Sequence, residues 1–105
     1  MKSFLISLLI STSFATGVHA DTDMGRIKFT VAMLADVPIL GDTCSVPAEK
    51  KAAASAMLYG IIEVHPDFAY IIDEVQAERL ARPLTQKQET TYCPVLIRFL
   101  DSVLH

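Results

Sequence analysis

The residues of this chain with the most chemical reach are two cysteines, three histidines and twelve carboxylates. Cys44 stands in GDTCSVPAEKK and Cys93 in TTYCPVLIRF, far apart in the chain. A zinc centre needs about four Cys or His ligands at short spacing, and two distant cysteines with His65 and His105 do not supply that set. A thiol nucleophile needs a base beside it and a third group to orient the base. His65 is the one histidine away from either end of the chain. Glu63, His65 and Asp67 alternate in EVHPD as ligands would, yet His65-Pro66 reads better as a break between helices with Pro66 in a first turn. Asp73 and Glu74 point in neighbouring directions around a helix and belong to a solvated face. There is no glycine-rich phosphate loop and no Gly-x-Ser-x-Gly elbow. The expectation is a protein with no catalytic residues, no metal and no cofactor, in which the cysteines serve as a staple.

The compartment favours the same reading. The chain opens MKSFLISLLISTSFATGVHADTD, with Lys2 near the amino terminus, an apolar run from Phe4 to Phe14 and small residues at Val18 and Ala20. This is the three-part pattern of a secretory signal peptide over residues 1–20, followed by a single domain over 21–105. The apolar run is shorter than the ~20 residues a membrane span needs, so no membrane anchor is expected. Cys44 lies too far beyond Asp21 to be a lipidation site. The predicted location is the periplasm or the exterior, where a disulfide forms and persists. A domain of about 85 residues buries only a little over 60% of its unfolded surface. A Cys44–Cys93 bond closing a loop of about 50 residues offers roughly 4 kcal/mol in return.

The elements that must position these residues read as helices. SVPAEKKAAASAMLYGIIEV begins with Ser45 as a cap, Pro47 and Glu49 in the first turn and a run of alanines. Ala53, Met57, Ile61 and Val64 form one stripe, and Ala54, Leu58 and Ile62 another, a width that suits the middle of a bundle. In DFAYIIDEVQAERLAR, Phe68, Ile71, Ile72 and Val75 recur at i, i+3, i+4 and i+7 with Asp73, Glu74, Glu78 and Arg79 opposite. Pro83 ends this helix. Thr85 and Gln88 then stand in capping-box positions before a stripe of Tyr92, Val95, Leu96, Phe99 and Val103. Pro94 inside that stripe predicts a kink or two short helices. Gly60 inside a helix signals either close packing or simple tolerance. Residues 24–35 fit a helix by Met24, Ile27, Val31 and Leu34 and a strand by Ile27, Phe29, Val31 and Met33. Pro38 and Gly41 beyond them, and the lack of a partner strand, favour the helix. The predicted fold is all-α, a small bundle of about four helices clipped by one disulfide.

Without Lys2, twelve acidic residues face eight basic ones, a formal net charge of −4 from Asp21 onward. The basic residues are scattered, with Lys50-Lys51 the one adjacent pair, so no nucleic-acid partner is expected. Thr43-Cys44 near a helix start, Leu58-Tyr59-Gly60 within that helix and Tyr92-Cys93 near the next restart resemble the periplasmic acid-stress chaperones of the HdeA/HdeB type. The resemblance covers residues 43 to about 104. It implies a helical, disulfide-clipped fold, a homodimer at neutral pH, and acid-exposed apolar surface that holds unfolded periplasmic clients. The candidate surface is Phe68, Ile71, Ile72 and Val75. CSVP followed by VHP and YCP is also similar to small periplasmic immunity proteins that neutralise cell-wall amidase toxins, which implies a secreted toxin as partner. A non-catalytic binding protein ranks first, with the chaperone ahead of the inhibitor and an enzyme third.

Overall fold

The computed structural model describes residues 13–104, with side chains from residue 23 onward. Four helices follow in order: α1 Ser13–Leu40, α2 Ala48–Val64, α3 Ala69–Ala81 and α4 Gln86–Val103, with one 3₁₀ turn, Pro66–Phe68, leading into α3. The described residues are 84% helical, with no strand among them, and Cys44 is bonded to Cys93. The expected leader over 1–20 falls largely on residues outside this description. The backbone of α1 is continuous across Ala20 and Asp21.

α1 is the central element and packs against both α2 and α3. Its alternating apolar residues resolve as helix because burial follows helical spacing: Val31, Leu34 and Ala35 are buried, as are Met33 and Val37, while Phe29 is 57% exposed. The helix does not stop before Pro38, as expected, but carries it inside the last turn. Pro38 is exposed, and the buried Val37 and Leu40 on either side hold that turn in place. Gly41 then closes the helix through a bond from its N–H to the Val37 carbonyl at 2.7 Å. A Cβ there would lie 2.5 Å from that carbonyl oxygen, so the position requires glycine.

Ser45 is not the cap of α2. It adopts φ 59°, the left-handed region, while Pro47 occupies the cap position with no side-chain hydrogen bond. The turn must bring Cys44 and Val46 inward, each only 5% exposed, and Ser45 between them absorbs the reversal. The backbone supplies the capping bonds instead, from the N–H groups of Lys50 and Lys51 to the Pro47 carbonyl, both at 3.0 Å.

α4 is one helix rather than two. Pro94 removes one N–H donor, but the segment is fixed at both ends. Thr85 Oγ1 accepts from Gln88 N–H at 3.2 Å and Gln88 Oε1 from Thr85 N–H at 2.9 Å, the expected capping box. Beyond Pro94, Leu96 and Leu100 are 0% and 1% exposed. That rotation turns Val95 out to solvent at 41% exposure, so Leu100 takes the core place expected of Val95. The core is completed by Ala54 and Leu58 of α2 with Phe68 and Ile71.

Candidate functional site

Where α1, α3 and α4 meet, the apolar core contains a carboxylate. Asp36 is 4% exposed and is the one buried charged residue among the described residues. Arg79 of α3 grips it with two parallel bonds, Nε to Oδ1 and Nη2 to Oδ2, both 2.9 Å. The Tyr92 hydroxyl of α4 donates to Oδ2 at 2.7 Å. Its single proton is thereby used, and Met33 Sδ at 3.4 Å is a packing contact. The Arg79 guanidinium also lies over the Tyr92 ring, 5.3 Å from its centroid, a favourable cation–π arrangement. Three helices are tied at one point, each by a different residue type.

These contacts shift the titration of the partners. The hydrogen bond to Asp36 raises the Arg79 guanidinium further above its already high value. Burial, then the bond to Asp36, pushes the Tyr92 hydroxyl well above the ordinary tyrosine range. Arg79 is thus not on the solvated face expected of it. It stands four residues beyond Val75, on the side of α3 that meets α1, because the carboxylate there requires a partner.

The four residues proposed as a client surface are brought together at the start of α3, but inward. Phe68 and Ile71 are 3% and 8% exposed, and Ile72 and Val75 are half-buried against the core. Beside them, a cleft of about 780 Å³ is lined by Ala32, Met33, Asp36, Val75, Arg79 and Tyr92 among others. Cys44 and Cys93, with Cα atoms 5.1 Å apart, tie the turn after α1 to α4. No free cysteine is present among the described residues.

The elements of EVHPD do not converge as ligands. His65 ends α2 and stacks on Phe68, centroids 5.2 Å apart. No group of three or more His, Cys, Asp or Glu among the described residues is arranged to hold a metal ion. At the surface, the Lys51 ammonium draws the Asp42 carboxyl below its usual value by hydrogen bonding, and Arg82 does the same to Glu78.

Sequence reasoning passed over Asp36. Its signal was present, a lone carboxylate inside the apolar run VAMLADVPIL, which only a cation elsewhere in the chain could balance.

A second feature lies at the far end of α2. Of the broad stripe expected to sit mid-bundle, Ala54 and Leu58 are buried, whereas Val64 is 73% exposed. An open apolar groove of about 440 Å³ runs there between α1 and α2, lined by Arg26, Ile27, Thr30, Met57, Ile61 and Val64, with Gly60 and His65.

Fold and site together define a small, all-helical, disulfide-clipped protein built around one buried ion pair. No protein-family model, curated protein or solved structure matches this chain. No helix among the described residues is long and apolar enough to cross a membrane.

Proposed function

We propose that this is an exported, non-catalytic binding protein that acts as an acid-stress chaperone, closed near neutral pH and opened by acid to hold unfolded clients. The observation that carries this reading is the buried Asp36–Arg79 pair at the joint between α1 and α3. A guanidinium fixed in a core is tolerated while a carboxylate balances it, and it becomes a strong liability once that carboxylate is neutral. The reading places the opening at pH 2 to 3, below the reference carboxylate range. Phe68, Ile71, Ile72 and Val75 lie along the helix that Arg79 anchors.

Two further effects act in the same direction. Acid takes the chain from Asp21 onward from about −4 to about +10, and self-repulsion of that size loosens a small core. The lowered carboxyls of Asp42 and Glu78 contribute stability that is present above the ordinary carboxylate range and lost as pH falls below it. Both are exposed, so their share is small. The Cys44–Cys93 bond keeps α4 tied to the end of α1 during opening, and its persistence is compatible with an oxidising, exported location.

Dye binding and light scattering test this reading directly. The protein should bind an apolar-surface dye at pH 2 to 3 and suppress aggregation of an acid-denatured periplasmic extract, and do so less at pH 7. No protection at any client ratio, with the protein itself still folded in acid, discards the reading. The inhibitor of a secreted hydrolase then takes first place. The standing α1–α2 groove favours that alternative, because it is open without any acid step.

A further inference from the structure

We infer that the groove between α1 and the end of α2 is a docking site for an amphipathic helix of another protein, one that carries a carboxylate beside its apolar stripe. The inference concerns the folded state near neutral pH and stands apart from the acid-opening reading.

The groove has the register of a helix seat. Met57, Gly60, Ile61 and Val64 recur along α2 at i, i+3, i+4 and i+7, and Ile27 and Thr30 of α1 face them across the gap. That spacing presents one continuous apolar face. It is the geometry by which grooves receive the apolar stripe of a partner helix.

Gly60 is the second observation. Glycine within a helix is unfavourable relative to alanine, and structures usually offset this by close packing. A Cβ at Gly60 would meet nothing within 4 Å. No neighbour among the described residues therefore accounts for the glycine, whereas a helix crossing at Gly60 would approach the α2 backbone closely.

Charge sets the sign of the partner. The chain is acidic overall, yet among the described residues no carboxylate lines this groove, and Arg26 and His65 are its titratable residues. Arg26 has an exposed neighbour in Asp23 at 3.9 Å, with side chains 72% and 69% exposed. Such a pair is weak and exchangeable. A partner carboxylate, delivered by an apolar contact that excludes water, competes with it favourably.

The probes are two synthetic helical peptides of about 18 residues with a Leu/Ala stripe at this spacing, one flanked by Glu and its twin by Lys. Fluorescence anisotropy at pH 7 with the disulfide-bonded protein should find the Glu peptide bound about tenfold more tightly than the Lys twin. Gly60→Leu fills the crossing point and should weaken binding at least about tenfold, with an unchanged circular dichroism spectrum. Arg26→Glu, on an exposed side chain, should reverse the preference between the peptides. Equal binding of both peptides, or full binding by a folded Gly60→Leu protein, overturns the inference. Self-association that Gly60→Leu abolishes would assign the groove to a second copy instead. Displacement of the Glu peptide by dodecanoate at low concentration would assign it to small amphiphiles.

Discussion

α1 has two flanks made from similar residues that end in opposite conditions. Toward α3 and α4, Val31, Met33, Leu34 and Val37 are covered, and the one charge among them is satisfied by Arg79 and Tyr92. Toward the end of α2, Ile27 and Thr30 face Met57, Ile61 and Val64 across a gap that no described residue fills. Apolar periodicity alone does not distinguish the two. The flank toward α3 and α4 holds a polar tie between helices, with the cleft of about 780 Å³ beside it; the flank toward α2 has apolar rows and a glycine but no such tie. On the reading proposed above, the first flank is the joint that opens and the second a surface available without change.

The comparison is broken most severely from the closed side. Arg79→Ala leaves the buried Asp36 carboxylate without a counter-charge and should cost about 3–5 kcal/mol in denaturant unfolding at pH 7. Replacing both members, Asp36→Leu with Arg79→Met, should recover most of that loss, since a well-packed apolar pair is often as stable as a buried ion pair. Recovery would show that the pair serves the response to pH more than stability. Next in size is the clamp beside it. Cys44→Ser with Cys93→Ser should lose roughly 2–4 kcal/mol, and thiol titration of the unfolded, unreduced wild type should find no free thiol.

Tyr92→Phe sharpens the comparison on the alkaline side. The folded state holds the Tyr92 hydroxyl protonated above the ordinary tyrosine range. Its contribution is thus fully present below about pH 10 and is lost as pH rises through the folded value. The variant should lose about 1.5 kcal/mol at pH 7 and show a flatter stability profile above pH 10 than the wild type. The smallest effect belongs to the open flank. Gly60→Ala should stabilise by up to about 1 kcal/mol, because the added methyl meets open space. A loss of stability there would mean that the groove is more tightly packed than described.

Much of this architecture is legible in the sequence for local reasons. The Thr85–Gln88 capping box, the His65-Pro66 break and the stop at Pro83 each depend on residues a few positions apart, and all three hold. The disulfide follows from the even cysteine count and from the exported location that the opening residues predict. Misreadings occur where distant parts of the chain compete. Ser45 has the side chain of a cap, but burial of Cys44 and Val46 dictates the turn. Val95 fits the stripe of α4, but Leu96 and Leu100 set its rotation. Arg79 fits a solvated face until Asp36, 43 residues away, is placed opposite it. The candidate surface at Phe68, Ile71, Ile72 and Val75 is recognisable from periodicity, and its covered state depends on α1, which periodicity within α3 does not register.

Asp36→Asn at pH 7 tests the central claim most directly, because the amide keeps the shape of the side chain while removing the charge that balances Arg79. If the Asp36–Arg79 pair is the latch between α1 and α3, the variant should bind apolar-surface dye and suppress client aggregation at pH 7 as the wild type does at pH 2 to 3. A variant that remains closed at pH 7, with no more dye binding or client protection than the wild type at that pH, would contradict the claim.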